Sequence, residues 1–168
     1  MNRALSRGLG LSVLVVIADQ ATKLWALSVL FDPPRRVPVL PFLDFVPVWN
    51  RGVSFGLLSN TSAWGPWLLG GFALLVCVFM AVWLARATTW PLILGLGAVI
   101  GGAFGNVIDR MLYGAVVDFI DVHYGGWHWP AFNIADSAIT LGVGLLLLDA
   151  FGIGTRTGKT EGGHGNDG

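Results

Sequence analysis

Four long apolar runs dominate the chain, at residues 9–30, 66–84, 91–108 and 134–151. A hydrocarbon core of ~30 Å is crossed by roughly 17 to 25 helical residues, and each run is long enough to do so. The expected fold is therefore a mainly α membrane protein with four transmembrane helices. Composition agrees, with 54% of the 168 residues hydrophobic and 12% charged, whereas about a quarter of the residues in a soluble domain are charged.

The zero formal net charge provides no basic footprint, so no nucleic-acid partner is expected. The single cysteine, Cys77, lies inside an apolar run and excludes an internal disulfide or a cysteine zinc cluster. It reads as packing. The first run has signal-peptide features, with Arg3 and Arg7 before GLGLSVLVVIA. Apolar character resumes after DQATK, however, and no clear cleavage site follows, which favours a retained anchor.

An even number of spans puts both termini on one side, together with Arg3, Arg7, Arg86, Arg156 and Lys159; Arg35, Arg36, Arg51 and Arg110 fall on the other. The bias is slight and points to cytoplasmic termini. Residues 1–152 are expected to form a single four-span domain. Residues 153–168, rich in glycine and lacking apolar periodicity, are expected to be a disordered cytoplasmic tail. The outer segment 31–62 contains five prolines, yet VPVL, FLDFVPVW and GVSFGLL are β-prone and amphipathic. Short strands on the membrane surface would suit it.

Nearly all the polar motifs fall at the outer face, where ionisable groups at membrane depth cost ~2.5 to 3.5 kcal/mol each and persist mainly with partners or a task. Asp19 and Lys23 stand four apart on one helical face and can pair, either as a clasp between helices or in direct chemistry. In GGAFGNVIDRMLYG, Gly101, Gly102 and Gly105 allow close helix approach. Asn106 and Arg110 share a face there, Arg110 could orient a carboxylate or a substrate carbonyl, and Asp109 suits local pairing. Asp118 lies just beyond the third span, Asp121 near the interface, and Asp136 about one turn into the fourth, close to Asn133. Because GGWHWP must turn, spans three and four can run antiparallel and bring Asp118 and Asp136, from consecutive membrane helices, to similar depth.

Two carboxylates ~4 Å apart at an effective dielectric near 20 repel by about 4 kcal/mol, so one keeps its proton. Such a pair can activate water and polarise an amide carbonyl, with neither metal nor covalent intermediate. Taken alone, the residues equally allow Asp118 to pair with Arg110 while Asp136 bonds Asn133 or caps its helix. Asp121, His123 and His128 are possible metal ligands in one loop, but no H-E-x-x-H motif supports them. GVSFG at residues 52–56 matches the G-x-S-x-G pattern around Ser54; in a proline-rich surface segment without a histidine behind it, it looks architectural.

The chain resembles the bacterial lipoprotein signal peptidases (signal peptidase II) from the first span to the end of the fourth. The resemblance is carried by DQATK (residues 19–23), NRGVSFG (50–56), GGAFGNVIDR (101–110), GAVVDFIDV (114–122) and WPAFNIADS (129–137). It implies four transmembrane helices with a small β-rich periplasmic platform in the inner membrane, and an active site near the periplasmic face. It also implies cleavage of the signal peptide from diacylglyceryl-modified prolipoproteins, before the lipidated cysteine. By the same resemblance Asp118 and Asp136 are the catalytic pair, while Asp19, Lys23, Asn50, Asn106, Asp109, Arg110 and Asn133 support the dyad or position substrate. No metal or other cofactor is implied. The expected associates are the prolipoprotein and membrane lipids, with the protein itself a monomer. The 31–62 segment would serve partly as a lid. An ion-coupled transporter would instead line a path through the bilayer with its acids, and a scaffold would cleave nothing.

Overall fold

The computed structural model describes residues 3–52 and 65–152. In chain order these residues form α1 (Arg3–Leu30), β1 (Val37–Leu40), β2 (Leu43–Asn50), α2 (Gly65–Leu84), α3 (Trp90–Tyr113), β3 (Val116–Tyr124), β4 (Trp127–His128) and α4 (Ile134–Ala150). Three of the helices, α1, α2 and α3, are long and apolar enough to cross a membrane. The fourth, α4, has 17 residues and sits at the lower limit of ~17 for spanning. Ser54 and Gly56 lie outside the described residues, as do the tail from 153 onward and the last part of the expected lid, residues 53–62.

The central helix is α3, which packs against α1, α2 and α4. Small residues make this possible. A Cβ on Gly97 would lie 2.6 Å from the Gly8 carbonyl oxygen, and one on Gly101 would lie 2.7 Å from that of Ser12. These contacts advance together along α1 and α3, so the two helices run parallel. On the other side Gly95 faces Gly142 while Gly102 faces Ala135, so α4 runs antiparallel to α3, as the turn-forming GGWHWP predicts. The apolar side chains of α2, including Trp67, Leu68, Phe72, Leu75, Val78 and Phe79, are largely exposed, which suits a helix facing lipid.

The polar loops fold into a four-stranded antiparallel sheet of order β1-β2-β3-β4. The platform expected from residues 31–62 supplies only half of it. The other half comes from the chain after α3, where Gly114 adopts φ +68° and ends the helix by donating its N–H to the Arg110 carbonyl. The strand beyond it, VVDFIDVHY, is β-branched and aromatic and pairs with β2, Asn50 opposite Val116 and Val48 opposite Asp118. Asp118 therefore sits on an interior strand. The expectation that both acids come from membrane helices is corrected here: β3 is buried along its first four residues and is held by strand pairing to a segment nearly 70 residues earlier.

The sheet docks on α1 through a small apolar cluster in which Ala26, Leu30 and Phe119 are buried and Trp25 meets Phe45 edge-on at 5.2 Å. Its outer end is held by charge. Asp44 pairs with Arg36 and lies 3.2 Å from His123 Nε2, while Asp121 lies 2.9 Å from His128 Nδ1. Burial alone would raise the Asp44 carboxyl, but Arg36 and His123 hold it below its ordinary value. The possible ligands Asp121, His123 and His128 are thus split between two contacts, His123 beside Asp44 and His128 beside Asp121, and among the described residues no three His, Cys, Asp or Glu side chains form a metal-holding group.

Candidate active site

Where α1, α3, β3 and the start of α4 converge, buried polar groups form one connected network. Its base is Lys23, whose ammonium reaches Asp19 Oδ2 at 2.8 Å, Asp109 Oδ2 at 2.8 Å and Asn106 Oδ1 at 2.9 Å. All three of its protons are used. Asp19 and Lys23 pair along one helical face as their spacing predicts, and Asp109, expected to pair locally, instead bonds across to α1. Gln20, which sequence reasoning missed, completes the clasp by donating to Asp109 Oδ1 at 2.9 Å and to the Gly105 carbonyl at 3.2 Å. Its one signal was its place inside DQATK.

The clasp reaches both candidate acids through the backbone. Asp109 Oδ2 accepts the Val117 N–H at 3.0 Å, one residue before Asp118, and Asp19 Oδ1 accepts the Ala135 N–H at 2.9 Å, one residue before Asp136. Gly105 lets this happen: a Cβ there would lie 2.5 Å from Asp19 Oδ2. Ion pairs buried this deeply are weak evidence for stability, but they fix geometry when every donor and acceptor is matched.

Above the clasp, two asparagines link the acids. Asn133 is the N-cap of α4 and accepts the Asp136 N–H at 2.9 Å, satisfying an orphan helix donor. Its amide donates to Asp118 Oδ1 at 2.6 Å and to Asn106 Oδ1 at 3.3 Å. Asn106 in turn donates to Asp136 Oδ1 at 2.8 Å. From β2, Asn50 donates to Asp118 Oδ2 at 2.9 Å. Both Asp118 oxygens are thus taken by asparagine amides, not by Arg110, so the alternative pairing of Asp118 with Arg110 is not what forms. Arg110 lies alongside, within electrostatic reach of Asp136, Asp109 and Asp118. Its Nη1 donates to the Asn106 carbonyl at 3.2 Å, and its buried Nε has no hydrogen-bond partner among the described residues. All nine residues singled out from the sequence converge here.

Two clefts open onto the acids. One of about 630 Å³, lined by Val48, Trp49, Asn50, Arg51 and Gly52, reaches Asp118. The other, of about 520 Å³ and mostly apolar, is bounded by Trp129, Phe132, Thr140 and Leu141 and reaches Asp136. Pro130 and Ala131 line both.

Burial raises the Asp118 carboxyl from 3.8 to about 6; the Asn50 hydrogen bond opposes this, the nearby charge of Asp136 adds to it, and Asn133 and Lys23 oppose it. Between these two values the folded protein holds a proton that the unfolded chain has released. This contribution to stability is therefore complete below pH ~4 and is lost as pH rises through ~6, by on the order of 2–3 kcal/mol. Thermal unfolding in detergent micelles between pH 4 and 7 should show this fall in the wild type and not in Asp118→Asn. An equal slope in both would assign it to other groups.

Parallel and antiparallel apolar helices, capped by a small sheet with two linked carboxylates beneath it, define a polytopic membrane protein with a buried polar network at one end of its bundle. The comparisons with known proteins are specific. The family model for signal peptidase (SPase) II matches residues 11–152. A lipoprotein signal peptidase of Methylobacterium sp. (strain 4-46) is 48% identical over 149 residues, covering 88% of this chain and 90% of its own. Another from Caulobacter vibrioides is 50% identical over 143 residues, 84% of each. Among solved structures, a bacterial membrane enzyme determined by the in meso method at 2.3 Å resolution superposes with a TM-score of 0.73 at 28% identity, over 92% of this chain and 93% of that one. The chain belongs to the signal peptidase II family and is a peptidase.

Proposed function

We propose that this protein is an aspartic endopeptidase of the bacterial inner membrane that removes the signal peptide from diacylglyceryl-modified prolipoproteins, cleaving before the lipidated cysteine. The observation that carries the proposal is the linkage of Asp118 and Asp136 through Asn106 and Asn133, in a site open to two clefts of different polarity. The pair shares one proton. The ionised member takes a proton from the attacking water while the protonated one hydrogen-bonds the scissile carbonyl, and the roles reverse as the amine leaves. Asn106 and Asn133 hold the two carboxylates in register, and Lys23 with Asp19 and Asp109 fixes the strand and the helix that carry them.

The substrate has to be extended at the cleaved bond, because helical amides are shielded by their own hydrogen bonds. The cleft beside β2 suits an extended backbone, and the apolar cleft along α4 suits the apolar chain that arrives from the bilayer. With both termini cytoplasmic, this end of the bundle faces the periplasm. The rival transporter would need acids spread through the membrane depth, whereas Asp19, Asp109, Asp118 and Asp136 are linked in one network at one end of the bundle.

The test uses purified protein in proteoliposomes with a diacylglyceryl-modified precursor and the same precursor without the lipid. The lipidated form should be cut, the unmodified form should not, and a chelator should leave the rate unchanged. His123→Ala and Ser54→Ala should retain most activity. Cleavage of both precursors at equal rates, or loss of activity with chelator, would overturn the proposal.

A further inference from the structure

At the end of the bundle remote from the acids, four helix termini meet. A Cβ on Gly8 would lie 2.5 Å from the Leu84 side chain, Arg7 lies 4.8 Å over the ring of Trp90, and the Thr89 hydroxyl donates to Asp149 Oδ1 at 2.5 Å. The start of α1, the end of α2, the start of α3 and the end of α4 are therefore neighbours. Among the described residues the ionisable groups gathered there are Arg3, Arg7, Arg86 and Asp149. None of the three arginines takes part in an ion pair among the described residues, and the acid is occupied by Thr89. The start of α3, which has no side-chain cap, adds the positive end of its helix dipole.

Beside this positive field lies a shallow groove of about 310 Å³, lined by Phe79, Val82, Trp83 and Arg86. Phe79, Val82 and Trp83 recur at i, i+3 and i+4 and form one stripe on the exposed face of α2, and Arg86 continues it in the turn just past the helix end. The stripe is ordered by polarity. Phe79, Val82 and Trp83 are exposed apolar side chains, with the two rings 6.4 Å apart, and the exposed Arg86 stands one turn beyond them at the helix end. An apolar stripe ending in a tryptophan and then an arginine matches the profile of one leaflet, from acyl chain through interface to headgroup.

We propose that this groove is a binding site for an anionic phospholipid. Its acyl chain lies along Phe79, Val82 and Trp83, its phosphate is held by Arg86, and Arg7 and Arg3 supply the surrounding positive field. A zwitterionic lipid would bring its own cation into that field, so the site discriminates by headgroup charge. The site is separate from the aspartates and independent of the peptidase reaction.

The test is native mass spectrometry and thermal unfolding of the full chain in micelles, titrated with phosphatidylglycerol, phosphatidylcholine or inorganic phosphate. A basic residue near the lipid surface contributes about 1 kcal/mol, or roughly fivefold in affinity. Phosphatidylglycerol should therefore bind at least about fivefold tighter than phosphatidylcholine and raise the unfolding temperature, whereas inorganic phosphate should do neither. Arg86→Gln should remove most of this preference, Arg86→Lys should keep much of it, and both should cleave precursor at the wild-type rate under lipid-matched conditions. Equal binding of the two lipids, an undiminished preference in Arg86→Gln, or a phosphate effect equal to that of the lipid would each overturn the assignment.

Discussion

Replacing Asp118 or Asp136 with asparagine abolishes cleavage while leaving the protein folded: a drop of at least about 10³-fold in rate is expected for either change, within the ~10²–10⁴ attributable to a positioned acid–base group. Asparagine keeps the shape of each side chain; at 136 its oxygen can still accept from Asn106, and at 118 its oxygen can accept from Asn133 while its NH2 requires the Asn50 amide to turn over. What it cannot do is accept a proton from water or give one to the leaving amine. The single-turnover rate on lipidated precursor is the measurement, with the unfolding temperature as a control. A variant that stays folded and retains more than about a tenth of the wild-type rate would place the chemistry elsewhere.

The second large effect concerns folding. Lys23→Met leaves Asp19 and Asp109 facing each other without a cation at a site where both side chains and Lys23 are almost completely buried. Breaking a buried pair from one side costs about 3–5 kcal/mol, because the remaining charge stays in low dielectric. The variant should therefore unfold at a much lower temperature in micelles or fail to accumulate. Lys23→Met combined with Asp19→Asn and Asp109→Asn removes the orphaned charges and should recover most of that loss. The triple variant keeps the prediction testable if the single one does not fold. It should still be slower than the wild type on precursor, since neutral carboxamides accept the Val117 N–H and the Ala135 N–H more weakly than the carboxylates of Asp109 and Asp19 do, and so hold the two acids less firmly. A single variant within about 0.5 kcal/mol of the wild type would mean the clasp is no stronger than a surface ion pair.

How much of the fold and site is legible in the sequence depends on the range of the interactions involved. Apolar length is a local property, so the helical runs can be read directly, although α1 and α3 extend beyond them as polar residues continue the helix past the most apolar stretch. The Asp19–Lys23 pair is legible too, because helical spacing alone puts the two on one face. The third partner, Asp109, is not, since it depends on how α1 and α3 rotate against each other around Gly97, Gly101 and Gly105. The strand carrying Asp118 is hidden for a similar reason. VVDFIDVHY reads as a short apolar run with acids in it, and only pairing with β2 makes it an interior strand. The same segment's resemblance to a known motif singles out Asp118 as a candidate without revealing what holds it. Gln20 gives no sign of its role beyond its place inside DQATK, because a glutamine one turn from a buried lysine is informative only once its neighbours across the helix interface are known.

The pairing of the two acids is tested most directly by the double variant Asp118→Asn/Asp136→Asn, assayed beside each single change on lipidated precursor. Groups that act as a unit are lost together. The double variant should therefore be no slower than the slower of the two singles, with the shared water-activating step already gone after the first substitution. A double variant slower than either by the product of the two single effects would show that the carboxylates work independently, and would contradict a shared-proton dyad.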